Sequence, residues 1–445
     1  MEFNPDFSIT NQVSKSNVKP IKTSKRARQS PYPMISVFEA LKRVLKESNT
    51  LQTTVKSFSE CFSFVTADAI FADEAYPQFP ASIKDGYAVL ADDLSEIRKV
   101  IGVVTPGCKL DFDLTNGTCV RVSTGSAIPE KADAVVQVED TSVVEEDEYG
   151  NEVTIRFSKM AVKGQDIRLV GSDVANGQVL VPANKRLSAA EIGVMATCGI
   201  KKVLVYEKPR VALLSTGDEI VEPGSELKPG CIRDSNKSSL FYSLVENRIP
   251  VIDVGIAKDT ADDVKSKLTA AFESADIIIT TGGVSMGEKD MLKLVLEVDF
   301  NATIHFGRVQ MKPGKPCTFS TVVFNTKKKL IFSLPGNPVS TYVCFYLFVI
   351  PSIKSLMGYT KTLHTPIRVK LACDLKLDER PEFYRVSLKS NEEGIYEALG
   401  TGAQQSSRLL SMQGADALLM LPPASSEQST VKAGSTVDAI LLKTI

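Results

Sequence analysis

At 445 residues, with 43% hydrophobic and 24% charged side chains, the chain is too long for one ordinary core and has the composition of a soluble multidomain protein. A net charge of −1 gives no basic footprint for nucleic acid, and two histidines with no Cys-x-x-Cys pair argue against structural zinc. The eight cysteines, several in apolar runs, suit reduced thiols, no apolar stretch near the start suggests secretion, and the longest greasy run (342–350) is short for a membrane span. A cytoplasmic protein without membrane insertion is expected.

Residues 1–33 are rich in Ser, Asn, Lys and Pro, with a basic knot at Lys22, Lys25, Arg26 and Arg28, and read as a flexible tail. Ser36 followed by Glu39 and apolar Ala40, Leu41, Val44 and Leu45 predicts a capped helix. It opens a linking domain, 34–72, which resumes at 159–207 with an Ala-rich helix ended at Gly199. Between the two parts, 73–158 is rich in Val and Thr and broken by Gly turns, predicting a small β domain. The acidic run Glu139–Glu148 fits an exposed hairpin.

From 208 to 360 strands and helices alternate, which predicts a doubly wound α/β domain. Val211–Thr216 and Val251–Gly255 are strand-like, and Thr260 with Asp263 caps a helix carrying Val264, Leu268 and Phe272 on one face. Ala275–Ile279 empties into Thr280-Thr-Gly-Gly-Val-Ser-Met-Gly287, ahead of a helix opening at Glu288-Lys-Asp290. A strand, Gly loop and helix in succession bind anions, because glycines admit a ligand and the first helical N–H groups lack partners. Two similar junctions flank it, Ser215-Thr-Gly-Asp-Glu219 and Ser333-Leu-Pro-Gly-Asn-Pro-Val-Ser340. All three should lie at the carboxyl edge of one parallel sheet, where ligands gather. Alternation after Pro366 predicts a C-terminal β domain, 361–445, sandwich- or barrel-like.

Ten motifs follow one another in order: PASIKDGYAV, RVSTGSAIPE, KGQDIR, STGDE, IRDSN, TGGVSMGEKD, HFGRVQMKPGKP, SLPGNPVS, RPEFYR and SSRLLSM. Together they resemble the molybdopterin molybdenumtransferase (molybdenum insertase) family, and within it the E domain of gephyrin most of all. The resemblance implies a homodimer of four subdomains that takes adenylylated molybdopterin and molybdate, cleaves the adenylyl anhydride with Mg2+ and releases AMP. The discontinuous domain would then serve dimerisation.

A phosphoanhydride needs charge neutralisation and an oriented nucleophile, and Mg2+ prefers hard oxygen ligands. Asp290, with Asp259, Asp218 or Glu219, could hold that ion. By resemblance Asp290, Glu219 and Asp259 are acidic positions important for activity, and Asp85, Thr124 and Asp166 form a second group from the small domains. Gly282, Gly283 and Ser285 would meet the anion, as would Ser340 at a helix start. Lys312, Lys315 and Pro316 match positions facing the cofactor, and Arg385 and Arg408 would help bind molybdate or phosphate. Asp234 and Asn236 would line the site.

Only about thirty tail-like residues precede the insertase region, so a separate adenylyltransferase is expected to supply the substrate. The alternative function is a gephyrin-like scaffold that binds receptor loops. Its groove would use Tyr32, where gephyrin has Phe, and Leu421-Pro-Pro423; an aromatic between prolines is also an ordinary packing staple.

Overall fold

The computed structural model describes residues 14–18, 32–107, 112–283 and 291–442. It divides into two compact units, one of Met1–Thr54, Ser63–Val65 and Val205–Ile445, the other of Val55–Phe62 and Thr66–Leu204.

The first unit is built on a six-stranded sheet in the order 251–257, 211–216, 277–281, 327–334, 318–324, 303–306. The first four strands run parallel, and 318–324 runs against both of its neighbours, 327–334 and 303–306. Both faces are covered, as parallel strands require. Val211, Leu213, Ile277 and Ile279 point to one face and join Leu240, Leu244, Val343 and Phe348. Ala212, Leu214 and Ile278 point to the other and meet Val264, Leu268, Phe272, Leu292 and Val295. Period-two alternation thus divides every strand between two helical layers.

Caps set the helices. Ser36 accepts from the Glu39 amide at the head of Val37–Glu47, and Asp234 from the Lys237 amide at the head of Ser235–Glu246. Thr260 caps Ala261–Ser274, accepting from the Asp263 amide. Asp263 closes on the amide of Lys258, not on that of Thr260, because its carboxylate reaches past the cap to the preceding turn. The Val37–Glu47 helix, grouped by sequence with the linking segments, buries Ala40 and Val44 in the core of the α/β sheet.

The greasy 342–350 run lies within a longer helix, Pro338–Leu356, containing a π-helical stretch at Phe345–Val349. Among the described residues it is long and apolar enough to cross a membrane, yet its apolar window is 83% buried within the protein. The C-terminal β domain is a closed five-stranded barrel, ordered 367–371, 396–400, 382–390, 417–421, 436–441.

The tail is not uniformly solvated: residues 14–18 are bound to the α/β unit. Tyr32 also packs there. Its hydroxyl donates to Glu297 at 2.8 Å, and its ring lies where a side chain at Gly307 would sit.

The second unit holds the small β domain, a six-stranded sheet in the order 134–137, 86–89, 118–122, 97–104, 152–157, 141–146. The acidic run forms a hairpin, 141–146 with 152–157, whose turn is held by the Asp147 carboxylate accepting from Tyr149 and Asn151. The Ala189–Thr197 helix starts with a capping box between Ser188 and Glu191 and is followed by Gly199 at φ 68°. Burial pushes the Glu191 carboxyl up, but hydrogen bonds from the Ser188 hydroxyl and amide, with Lys185, prevail and hold it at about 2. A depressed carboxylate stabilises the fold above its unfolded pKa and ceases to do so as pH falls through the folded value. Glu191→Gln is therefore expected to flatten the loss of stability between pH 4.5 and about 2, measured by denaturant melts across that window.

Candidate functional site

The chain runs from the 211–216 strand to 251–257 on one side, then returns to place 277–281 on the other. At such a reversal the connections diverge and leave a crevice beyond the strand ends. Thr216-Gly217 and Thr281-Gly282-Gly283 are at this crevice.

Each junction is shaped by close backbone packing. Gly282 has φ 83°, and a Cβ there would lie 2.6 Å from the Thr216 carbonyl oxygen. Its amide donates to Leu334 O at 3.2 Å, joining the second loop to the third. Gly336 in that third loop comes so near Gly282 that its Cβ would be 3.8 Å from the Gly282 Cα. Asn236 fastens the same loop, its Nδ2 donating to Gly336 O at 2.7 Å. The sequence expectation of three neighbouring Gly loops is met at Gly217, Gly282 and Gly336. Gly283 also has a positive φ, 61°.

Acidic residues gather beside Gly217. Asp218 Oδ1 accepts the Asp259 amide at 3.0 Å, tying together the ends of adjacent parallel strands. Glu219 folds back under Gly217, so close that a Cβ there would sit 2.6 Å from its Oε2. Asp290 and Ser285 lie outside the described residues. Among the described residues no group of three or more His, Cys, Asp or Glu is arranged to hold a metal. Asp218 and Asp259 are nevertheless hard-oxygen donors of the kind Mg2+ takes in ones and twos, with phosphate and water completing its shell.

Several polar atoms here have no partner among the described residues: Asp234 Oδ2, Asn236 Oδ1, Thr280 Oγ1 and Ser333 Oγ, all buried. An unmade buried hydrogen bond is costly, so Asp234 and Asn236, at the helix head tied to the Gly336 loop, are placed to meet a ligand's polar groups, whereas Thr280 and Ser333 alternate onto the other face of the sheet. Thr280 and Ser333 open two of the junctions read from the sequence, but as residues of the site they carry no signal beyond a hydroxyl near the end of an otherwise apolar strand.

The barrel supplies the next wall. Asn337 Nδ2 donates to Ser406 Oγ at 3.1 Å and the Val339 amide to Ser406 O at 3.1 Å, seating the 401–411 loop on the start of the Pro338 helix. Ser340 is buried within that helix. Arg408 is exposed at the head of the Leu409–Ser411 turn.

Arg385, expected to meet an anion directly, is fully buried. Its Nε donates to Ser411 Oγ at 3.2 Å and its Nη2 to Gln405 O at 3.2 Å, so it braces the loop that carries Arg408. Its Nη1 has no acceptor among the described residues, and burial pulls its pKa down to about 10. Lys312 is not a free cation either, since its Nζ is 3.2 Å from both Asp378 and Glu382. Lys315 is exposed, and Pro316 is half-buried.

Asp85, Thr124 and Asp166 converge in the second unit. Asp85 Oδ1 accepts the Thr124 amide at 2.8 Å. Asp166, at φ 51°, accepts the Ile83 amide on its carbonyl at 2.9 Å. Antiparallel pairing of Ile167–Arg168 with Ala81–Ser82 brings these segments together.

Family models match three consecutive stretches: "MoeA N-terminal region (domain I and II)" at 35–199, "Probable molybdopterin binding domain" at 212–355, and "MoeA C-terminal region (domain IV)" at 368–442. Drosophila melanogaster "Molybdenum cofactor synthesis protein cinnamon" is 37% identical over 98% of this chain and 70% of its own length. Dictyostelium discoideum gephyrin is 37% identical over 93% of this chain, which spans 63% of that protein. The molybdopterin molybdenumtransferase of Haemophilus influenzae is 32% identical over 91% of this chain and 98% of its own. Among solved structures, a molybdopterin biosynthesis MoeA protein from Pyrococcus horikoshii superposes with TM-score 0.75 at 28% identity, covering 93% of this chain and all of that one. The multidomain architecture, α/β domain and C-terminal barrel are those of that neighbour's class. The chain belongs to the molybdopterin molybdenumtransferase family, a family of transferases.

Proposed function

We propose that the chain inserts molybdenum into adenylylated molybdopterin, cleaving the adenylyl anhydride and releasing AMP. The observation that carries this reading is the convergence at one sheet edge of three closely packed Gly loops, the Asp218–Asp259 pair and Glu219. Gly282 and Gly283 let the backbone approach a phosphate. The unpartnered atoms of Asp234 and Asn236, beside the Gly336 loop, suit the polar edge of a pterin. Arg408 and Lys315 are exposed cations suited to molybdate, while Arg385 and Lys312 hold the surrounding loops in place. Mg2+, when bound, would neutralise charge on the anhydride, with Asp218, Asp259, Glu219 and Asp290 as the residues to hold it. Asp85, Thr124 and Asp166, drawn together in the second unit, form a second polar group that serves the same function. A homodimer in the cytoplasm, supplied by a separate adenylyltransferase, completes the proposal. The scaffold alternative draws no support from Tyr32, whose hydroxyl and ring are engaged by Glu297 and Gly307 of the same chain.

The test is AMP release from adenylylated molybdopterin in Mg2+, with and without molybdate. Wild type should release AMP in a molybdate-dependent manner. Asp290→Asn should lower the rate on the order of 100-fold, the scale of a disturbed metal site. A folded wild-type protein that releases no AMP would refute the reading.

A further inference from the structure

The segment Ser14–Val18 is held by residues roughly 250 to 280 positions away in sequence. The Ser16 amide donates to Asp262 Oδ1 at 2.6 Å, and its hydroxyl to Asp299 Oδ2 at 2.5 Å. The same hydroxyl accepts the Val18 amide at 3.1 Å, and the Asn17 amide donates to Asp299 Oδ1 at 2.8 Å. Lys265 Nζ donates to Ser14 Oγ at 3.2 Å and Lys15 O at 3.0 Å while pairing with Asp299 at 3.3 Å. Val18 packs on the apolar cluster beneath, whose members include Val264, Leu268 and Val295. The Asp299 side chain has no solvent exposure and that of Lys265 only 10%, so the receptor is a built, charged socket.

That socket demands a hydroxyl donor at position 16, because an ionised carboxylate only accepts. A phosphate in its place would remove the donor and press a dianion against Asp299 and Asp262, whose buried partner Lys265 is already paired with Asp299. We propose that Ser14–Val18 is a latch and that Ser16 is its modification site, whose phosphorylation by an ATP-dependent protein kinase frees the segment from the 261–274 and 291–300 helices. In that step Ser16 Oγ bonds to the γ-phosphorus of ATP, the bond to ADP breaks, and the hydroxyl proton passes to a base of the kinase. Asp299 lies in the last turn of Met291–Phe300, the helix that directly follows Asp290. The latch therefore grips the far end of the element leading out of the candidate site.

The experiment is hydrogen exchange on the full chain, comparing unmodified protein, protein carrying phosphoserine at 16, and Ser16→Thr. Protection of the Ser16 and Asn17 amides should fall at least about tenfold on phosphorylation, the scale of one charge-assisted hydrogen bond. Tryptic cleavage after Lys15 should quicken in parallel. Ser16→Thr, which keeps the hydroxyl, should stay protected. Equal protection with and without the phosphate, or no protection in the unmodified chain, would overturn the proposal. These readouts do not involve AMP release, so they stand or fall separately from the insertase reading.

Discussion

Gly282→Ala is expected to destabilise the first unit by about 3 kcal/mol and to disrupt the crevice proposed to bind the anion. Two costs add. The backbone at φ 83° is left-handed, and the new methyl would sit 2.6 Å from the Thr216 carbonyl oxygen. That oxygen belongs to a buried parallel strand and cannot retreat without breaking the sheet. The loop must move instead, withdrawing the Gly282 amide from Leu334 and separating the second junction from the third. Thermal melts should show a midpoint lowered by about 6–12 °C, given ~2–4 °C per kcal/mol for a unit of this class. AMP release should fall more than the loss of folded protein explains. Gly224→Ala is the control, since a Cβ there meets nothing within 4 Å, and it should leave the midpoint unchanged.

The second large effect is expected at Asp93. Its carboxylate lies 3.3 Å from Arg98 Nε, with the two side chains only 3% and 2% exposed. It also accepts the amides of Ser95 at 3.0 Å and Gly117 at 2.8 Å. Asp93→Ala strands a buried guanidinium and leaves two half-buried amides without their acceptor, which should cost about 3–5 kcal/mol. Backbone carbonyls of Leu90 and Ser95 still accept from Arg98, and Phe157 lies under it at 5.0 Å, but none of these carries the opposite charge. Adding Arg98→Met should restore much of the loss, because an apolar side chain of similar length needs no counter-ion. Urea unfolding of both variants, followed by hydrogen exchange in 97–104 and 152–157, checks both expectations. A double variant no more stable than the single one would show that the hydrogen bonds to Ser95 and Gly117, not the charge pair, carry the energy.

What was legible in the sequence was local. Ser36 with Glu39, and Thr260 with Asp263, mark helix starts because a cap spans only three residues. The strand-to-Gly-loop junctions were readable because an apolar run and its glycines are contiguous, and the parallel sheet then follows from alternation. What escaped depended on pairing at long range. Lys312 and Arg385 read as available cations, yet Asp378 and Glu382 neutralise the one, while the 401–411 loop binds and helps bury the other. The meeting of Asp85, Thr124 and Asp166 rests partly on a two-residue ladder between 81–82 and 167–168, too short to have a period. The bound Ser14–Val18 segment was hidden for another reason. Its composition is that of a solvated tail, and its affinity resides in Asp262, Asp299 and Lys265.

The closed barrel has a consequence for the order of synthesis. The 401–411 loop, with Arg408, is braced by Arg385 on the 382–390 strand, which pairs with 417–421. The ring closes only when 436–441 bridges 367–371 and 417–421. Domains fold as units while the ribosome adds about 5–20 residues per second, so the parallel sheet can form well before this last strand emerges. A nascent chain halted ahead of Thr436 would present a formed crevice with one wall unsupported and two strand edges open. Support for that wall thus arrives only after the strands of the parallel sheet have been made, and chaperone protection in the interval would guard the open edges as much as the proposed site.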